Sequence, residues 1–278
     1  MINISTRARI VIISGLTALM YAVLNNFDFN KLLNIDSVTG IDFFKAVLLG
    51  VFLYIGTAWA LFFRITGERF VTQLVFPTLG TMALSLIVEL IVVNLIPGTV
   101  GRIAIVLVST LIIGIYTYIC LLTVNLLNLK YLEKIPLAQA ARAALFIIAL
   151  IDAYLIFFMA YSNDLHILLR LSVVALIGGV LMYIALWTIE LRLAYRLNVT
   201  LAVAMVLSFI SGVLSMWPLQ APYLALILSL FFYIFMNIAM EMRENIGKWI
   251  WVEYLTLFGL ILILLATISE WGINGPLI

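Results

Sequence analysis

The chain has 278 residues, 66% of them hydrophobic and 10% charged, with a net charge of +2 and a mean hydropathy of +1.25. A soluble domain carries roughly 25% charged residues, so this composition excludes a soluble enzyme, a nucleic-acid binder, a disordered tail and a secreted disulfide scaffold. One cysteine (Cys120) and one histidine (His166) leave no internal disulfide, no Cys/His zinc site and no bis-histidine haem, and neither metal nor cofactor is expected.

A membrane-spanning helix needs about 20 apolar residues, and hydropathy read against loop punctuation predicts nine. The first, 8–24, follows Arg7 and Arg9. It lacks a small-x-small cleavage site after it and reads as a retained signal anchor. An outer loop over 25–43 carries Asp28, Asp36 and Asp42 before the second span, 44–63. The third, 71–96, contains Pro77, which removes a backbone hydrogen bond and predicts a kink. The fourth is 103–127. Lys130 and Lys134 precede Pro136, a suitable first-turn residue for the fifth span, 137–161. The remaining spans are 168–191, 199–217, 222–241 and 249–271. Runs such as Leu260-Ile261-Leu262-Ile263-Leu264-Leu265 do not alternate as barrel strands must. The fold expected is an all-α, polytopic helical membrane protein. It forms a single integral membrane domain over 1–278 with no soluble domain.

Loop charge orients the chain, because Lys and Arg gather on the cytoplasmic side. With the N-terminus inside, Arg7, Arg9, Arg64, Arg69, Lys130, Lys134, Arg142, Arg192, Arg196, Arg243 and Lys248 are cytoplasmic, and Lys31, Lys45, Arg102 and Arg170 lie outside. An odd span count then places the C-terminus outside. The six tryptophans fall near predicted helix ends, where indoles favour the headgroup level. The cell membrane, plasma or bacterial inner, is the expected location.

An ionisable group in hydrocarbon costs about 2.5–3.5 kcal/mol on insertion scales. Glu190, Glu241, Glu253 and Glu270 lie near span ends, where carboxylates snorkel or pair. Glu89 and Asp152 lie deeper, each roughly 10–14 Å below the outer boundary at the helical rise. No basic residue of a neighbouring span matches that depth, so each is expected to be neutral or to exchange a proton near neutral pH. Thr78, Thr81, Ser85 and Glu89 share one face of the third helix. These four and Asp152 are the candidate binding or proton-coupling residues. The competing reading makes the two acids protonated, structural hydrogen-bond donors. Further stripes, Ser208/Ser211/Ser215 beside Gly212 and Ser229/Tyr233/Asn237/Glu241, favour close helix packing over a hydrated path. Lys130, Lys134 and Arg142 form a basic cluster that could hold lipid headgroups or act only as a topology signal.

The residue set does not supply the usual intramembrane catalysts. There is no serine–histidine pair in the spans, no second intramembrane aspartate, no interior lysine and no phosphate-binding loop. The residues favour a non-enzymatic role. The leading reading is a small permease or transporter-like protein using Glu89 and Asp152, with membrane lipids as partners and a homo-oligomer or protein partner as an option, and no nucleic acid. The alternative is a non-catalytic membrane subunit or scaffold. A lipid-modifying enzyme using the outer-loop acids comes third.

Overall fold

The computed structural model describes residues 5–26, 38–60, 70–95, 99–127, 136–163, 165–187, 191–241 and 248–268. Among them are nine α-helices and no strand, so the protein is all-α. They are α1 (Thr6–Asn26), α2 (Val38–Ala60), α3 (Phe76–Leu95), α4 (Thr99–Leu127), α5 (Pro136–Ser162), α6 (Ile167–Trp187), α7 (Leu193–Leu214), α8 (Ala221–Glu241) and α9 (Lys248–Ile268). Eight are long and apolar enough to cross a bilayer; α9 carries a shorter apolar stretch, Val252–Thr267. Helices suit this composition because hydrocarbon offers backbone N–H and C=O groups no water, and a helix satisfies them within one segment.

Four helix starts differ from the sequence expectation by four residues or more, one of them α4, which begins at Thr99 rather than 103. α2 begins at Val38, six residues early, which brings Asp42 onto the helix with Lys45, where they pair at 3.7 Å. α7 begins at Leu193 rather than 199. Arg196 therefore leaves the expected loop for the first turn of the helix, where it is buried with its guanidinium 5.2 Å from the Tyr183 ring centroid. The aromatic face stabilises a cation that would otherwise have to stay in water. In the third span, α-helix begins only at Phe76, after a π-helical turn over Phe70–Val75. Pro77 lacks the N–H that would bond the Gln73 carbonyl, and its ring crowds that carbonyl, so the wider π turn accommodates it. The Thr78 hydroxyl donates to the Leu74 and Val75 carbonyls at 2.9 and 2.8 Å, satisfying acceptors the irregular turn exposes.

The chain divides into two compact units, 1–148 and 149–278, the boundary falling inside α5. In the first unit α1 packs on α2, α2 on α3, α3 on α4, and α4 returns to α1, closing a four-helix bundle. Close approach of α1 and α4 depends on Gly114, where an added Cβ would lie 3.1 Å from the Ala18 Cβ. Small residues at such contacts replace the hydrophobic drive that lipid removes. In the second unit α6, α7 and α8 pack mutually and α9 lies against α8. Gly178 admits Leu207: a Cβ there would stand 2.9 Å from the leucine Cδ1 and 3.8 Å from the Phe157 ring of α5.

Candidate functional site at one end of the first bundle

Four helix ends meet where α1 and α3 finish and α2 and α4 begin. Helical spacing puts Tyr21 and Asn25 on one face of α1, Asp42 and Lys45 on one face of α2, and Ser85 and Glu89 on one face of α3. All six line one small cavity together with Leu24, Ala46 and Leu49. Its volume is about 10 Å³, room for a single water or bare cation. Around it, Tyr21, Leu24, Ile41, Leu49 and Ile113 form a buried apolar cluster, with Leu84 and Val88 packed against them. Apolar side chains thus surround the polar groups.

Within the cavity Glu89 is 7% exposed and Ser85 3%. Glu89 stands six residues before Leu95, the last residue of α3, about 9 Å from that end. The Ser85 hydroxyl donates to its own helix, at the Met82 carbonyl, 2.8 Å. Tyr21 is 3% exposed. Its hydroxyl faces Asn25, Ser109, Glu89 and Asp42. No protein atom completes a well-aligned hydrogen bond with Tyr21 Oη, nor with Asn25 Nδ2, although both are buried. Ser109 spends its proton on the Ile105 carbonyl. At the rim, the Asp42–Lys45 pair has side-chain exposures of 19% and 14%, partly screened from solvent. The arrangement presents two carboxyls, one ammonium, one phenol and one amide to a volume that fits one small polar species.

The other sequence candidates lie elsewhere. Thr78 and Thr81 are buried one to three turns further along α3 and do not reach the cavity. The Thr81 hydroxyl donates to the Pro77 carbonyl at 2.8 Å and touches the Thr117 hydroxyl of α4 at 3.5 Å, an interhelical contact. The polar stripe of the third span is therefore divided, with its lower half packing and its upper half lining the site. Asp152 belongs to the second unit, fully buried on a face of α5 shared with Ala149 and Ile156. Arg142 is exposed on α5; Lys130 and Lys134 lie outside the described residues. Among the described residues no group of three His, Cys, Asp or Glu could hold a metal.

Tyr21, Asn25 and Lys45 escaped the sequence reading. Tyr21 and Asn25 are an i,i+4 polar pair at the end of an apolar span, a usable signal, but interfacial tyrosines and asparagines are common. Nothing in the sequence says which helix they face. Arg170 was also missed as a structural residue. It sits in the first turn of α6, its Nε donating to the Ala160 carbonyl at 3.1 Å and its guanidinium 5.1 Å from the Tyr161 ring centroid. Tyr161 in turn shares a 2.8 Å hydrogen bond with the Ser211 hydroxyl. Ser208 donates to the Leu171 carbonyl at 3.2 Å and Ser215 to the Ser211 carbonyl at 2.8 Å. The serine stripe of α7 is thus committed to contacts within the second unit. No protein-family model, curated protein or solved structure matches the chain.

Proposed function

We propose that this multi-pass membrane protein is a small permease of the cell membrane whose first bundle binds a proton or small cation at the Glu89 cavity. The supporting observation is the placement of Glu89. It is a carboxyl buried in a spanning helix, yet it borders a cavity at the helix ends that also receives the buried Tyr21 Oη and Asn25 Nδ2. Burying such a group costs several kcal/mol unless a partner or a proton compensates, and intramembrane acids mark ion and proton routes for that reason. In this reading Glu89 takes up and releases the coupling ion. Tyr21 and Asn25 orient it, and the Asp42–Lys45 pair guards the entrance from the side expected to be outside. Asp152 serves as a second, independent candidate in the other unit.

The test uses the full chain reconstituted into vesicles enclosing a pH-sensitive dye, with an imposed potential driving inward proton flux. Wild-type protein is expected to acidify the lumen, and Glu89→Gln to slow acidification at least about ten-fold. Flux that persists unchanged in Glu89→Gln refutes the site. A second reading, a non-catalytic membrane subunit, draws on the serine stripe of α7, all of it spent on packing. Co-purification of a stoichiometric partner whose removal exposes the Glu89 end of the bundle would favour it.

A further inference from the structure

The charges that line the Glu89 cavity limit the ion it can take. Its wall carries two carboxyls, Glu89 of α3 and Asp42 of α2, and one ammonium, Lys45 of α2. With both acids ionised the lining holds one net negative charge, which a single proton or one monovalent cation neutralises. A divalent cation would leave a positive excess among buried apolar side chains, where uncompensated charge is expensive. The remaining titratable group of the lining is the Tyr21 phenol, and α4 brings the Ser109 hydroxyl beside it. Asn25 and Ser109 make no well-aligned hydrogen bond to that buried hydroxyl. One water fits the volume, can bond the phenol, and can pass a proton to a carboxyl oxygen.

Size and ligand count separate the proton from a metal cation. A volume of about 10 Å³ admits a bare ion but not its hydration shell. A metal must therefore exchange water for protein oxygens, and hard cations are held by about six of them. The cavity offers the carboxyls of Glu89 and Asp42 with the hydroxyls of Ser85 and Tyr21. Asp42 is already engaged: the Lys45 ammonium stands 3.7 Å from its Oδ1, on the carboxylate a second cation would need. At about 6 Å and an effective dielectric of about 20, a fixed positive charge weakens cation binding roughly 100-fold. The repulsion falls on a proton too, but a proton forms an O–H bond with one carboxyl oxygen and needs no shell of ligands. The covalent bond withstands the repulsion, and a metal held by few oxygens does not. We propose, as an inference that rests on the permease reading, that the site is selective for the proton and that Lys45, a tethered cation seated on Asp42, keeps metal cations out.

The test is unfolding of the full chain in mixed micelles by denaturing detergent, in sodium chloride or in choline chloride of equal ionic strength. A bound ion stabilises the folded state that holds it, and choline is too large for the cavity. Wild-type protein is expected to unfold at the same midpoint in both salts. Lys45→Gln should be stabilised by sodium, its folded-to-unfolded ratio rising about ten-fold where sodium stands at about ten times its dissociation constant. Lys45→Arg keeps the charge and should ignore sodium. Adding Glu89→Gln to Lys45→Gln should abolish the sodium effect, which assigns the ion to this cavity. Stabilisation of the wild type by sodium overturns the proposal whether or not Lys45→Gln folds. A Lys45→Gln protein indifferent to sodium, or a Lys45→Arg protein that responds to it, overturns it as well. Wild-type vesicles that fail to acidify while the sodium results hold refute the permease and leave the selectivity of the cavity standing.

Discussion

Replacing Tyr21 by phenylalanine removes one oxygen from the wall of the Glu89 cavity, and the sign of the resulting stability change reports what the cavity contains. The ring is 3% exposed and packs with Leu24, Ile41, Leu49 and Ile113, contacts that phenylalanine keeps. Only the hydroxyl is lost, and Asn25 and Ser109, which stand beside it, make no well-aligned hydrogen bond to it. In a cavity without a polar occupant, a buried hydroxyl of this kind costs about 1–3 kcal/mol relative to an apolar group. Tyr21→Phe would then stabilise the protein by that amount. If a water or cation occupies the cavity, the hydroxyl is bonded to it, and its removal costs about 0.5–1.5 kcal/mol. That range spans the roughly 0.6 kcal/mol average for polar contacts between membrane helices. The proposed function requires the loss. Tyr161→Phe is the control, because its hydroxyl is bonded to Ser211 at 2.8 Å and its ring still carries Arg170; it should lose about 0.6–1.7 kcal/mol. The assay is reversible unfolding of the full chain in mixed micelles as denaturing detergent is titrated in. A gain in stability from Tyr21→Phe, with the Tyr161→Phe loss intact, refutes an occupied polar site.

Three other outcomes follow from packing and charge. Gly178→Val drives a side chain into Leu207, already 2.9 Å from the Cβ position, and should cost about 1–3 kcal/mol in the same titration. By contrast, Gly15→Ala meets open space and should be neutral or stabilising by up to about 1 kcal/mol. A reporter fused after Ile278 that is active only outside the cytoplasm is the expected result of nine crossings, whereas cytoplasmic activity would overturn the nine-crossing topology.

The helices were legible in the sequence because their cause is local. Each apolar run must satisfy its own backbone in lipid, and α1 to α9 follow the nine predicted segments in order, eight of them long and apolar enough to cross a bilayer. The boundaries slipped where contacts on the helices, local or tertiary, supply what a loop would have given. Asp42 and Lys45 pair on α2, and Arg196 finds the Tyr183 ring, so charges expected in water lie on helices. Glu89 and Ser85 were recognisable by depth and spacing, and Pro77 by the hydrogen bond it lacks. What the sequence left open was company: that Glu89 meets Tyr21, Asn25 and Lys45, while Thr81 meets Thr117 and the α7 serines meet Tyr161 and Leu171. In a bilayer the outer face of a helix is as apolar as its buried face, so hydrophobic periodicity does not mark the neighbour. Shape does, through contacts such as Gly114 on Ala18 and Gly178 on Leu207, and complementarity of shape exists only once two helices are side by side.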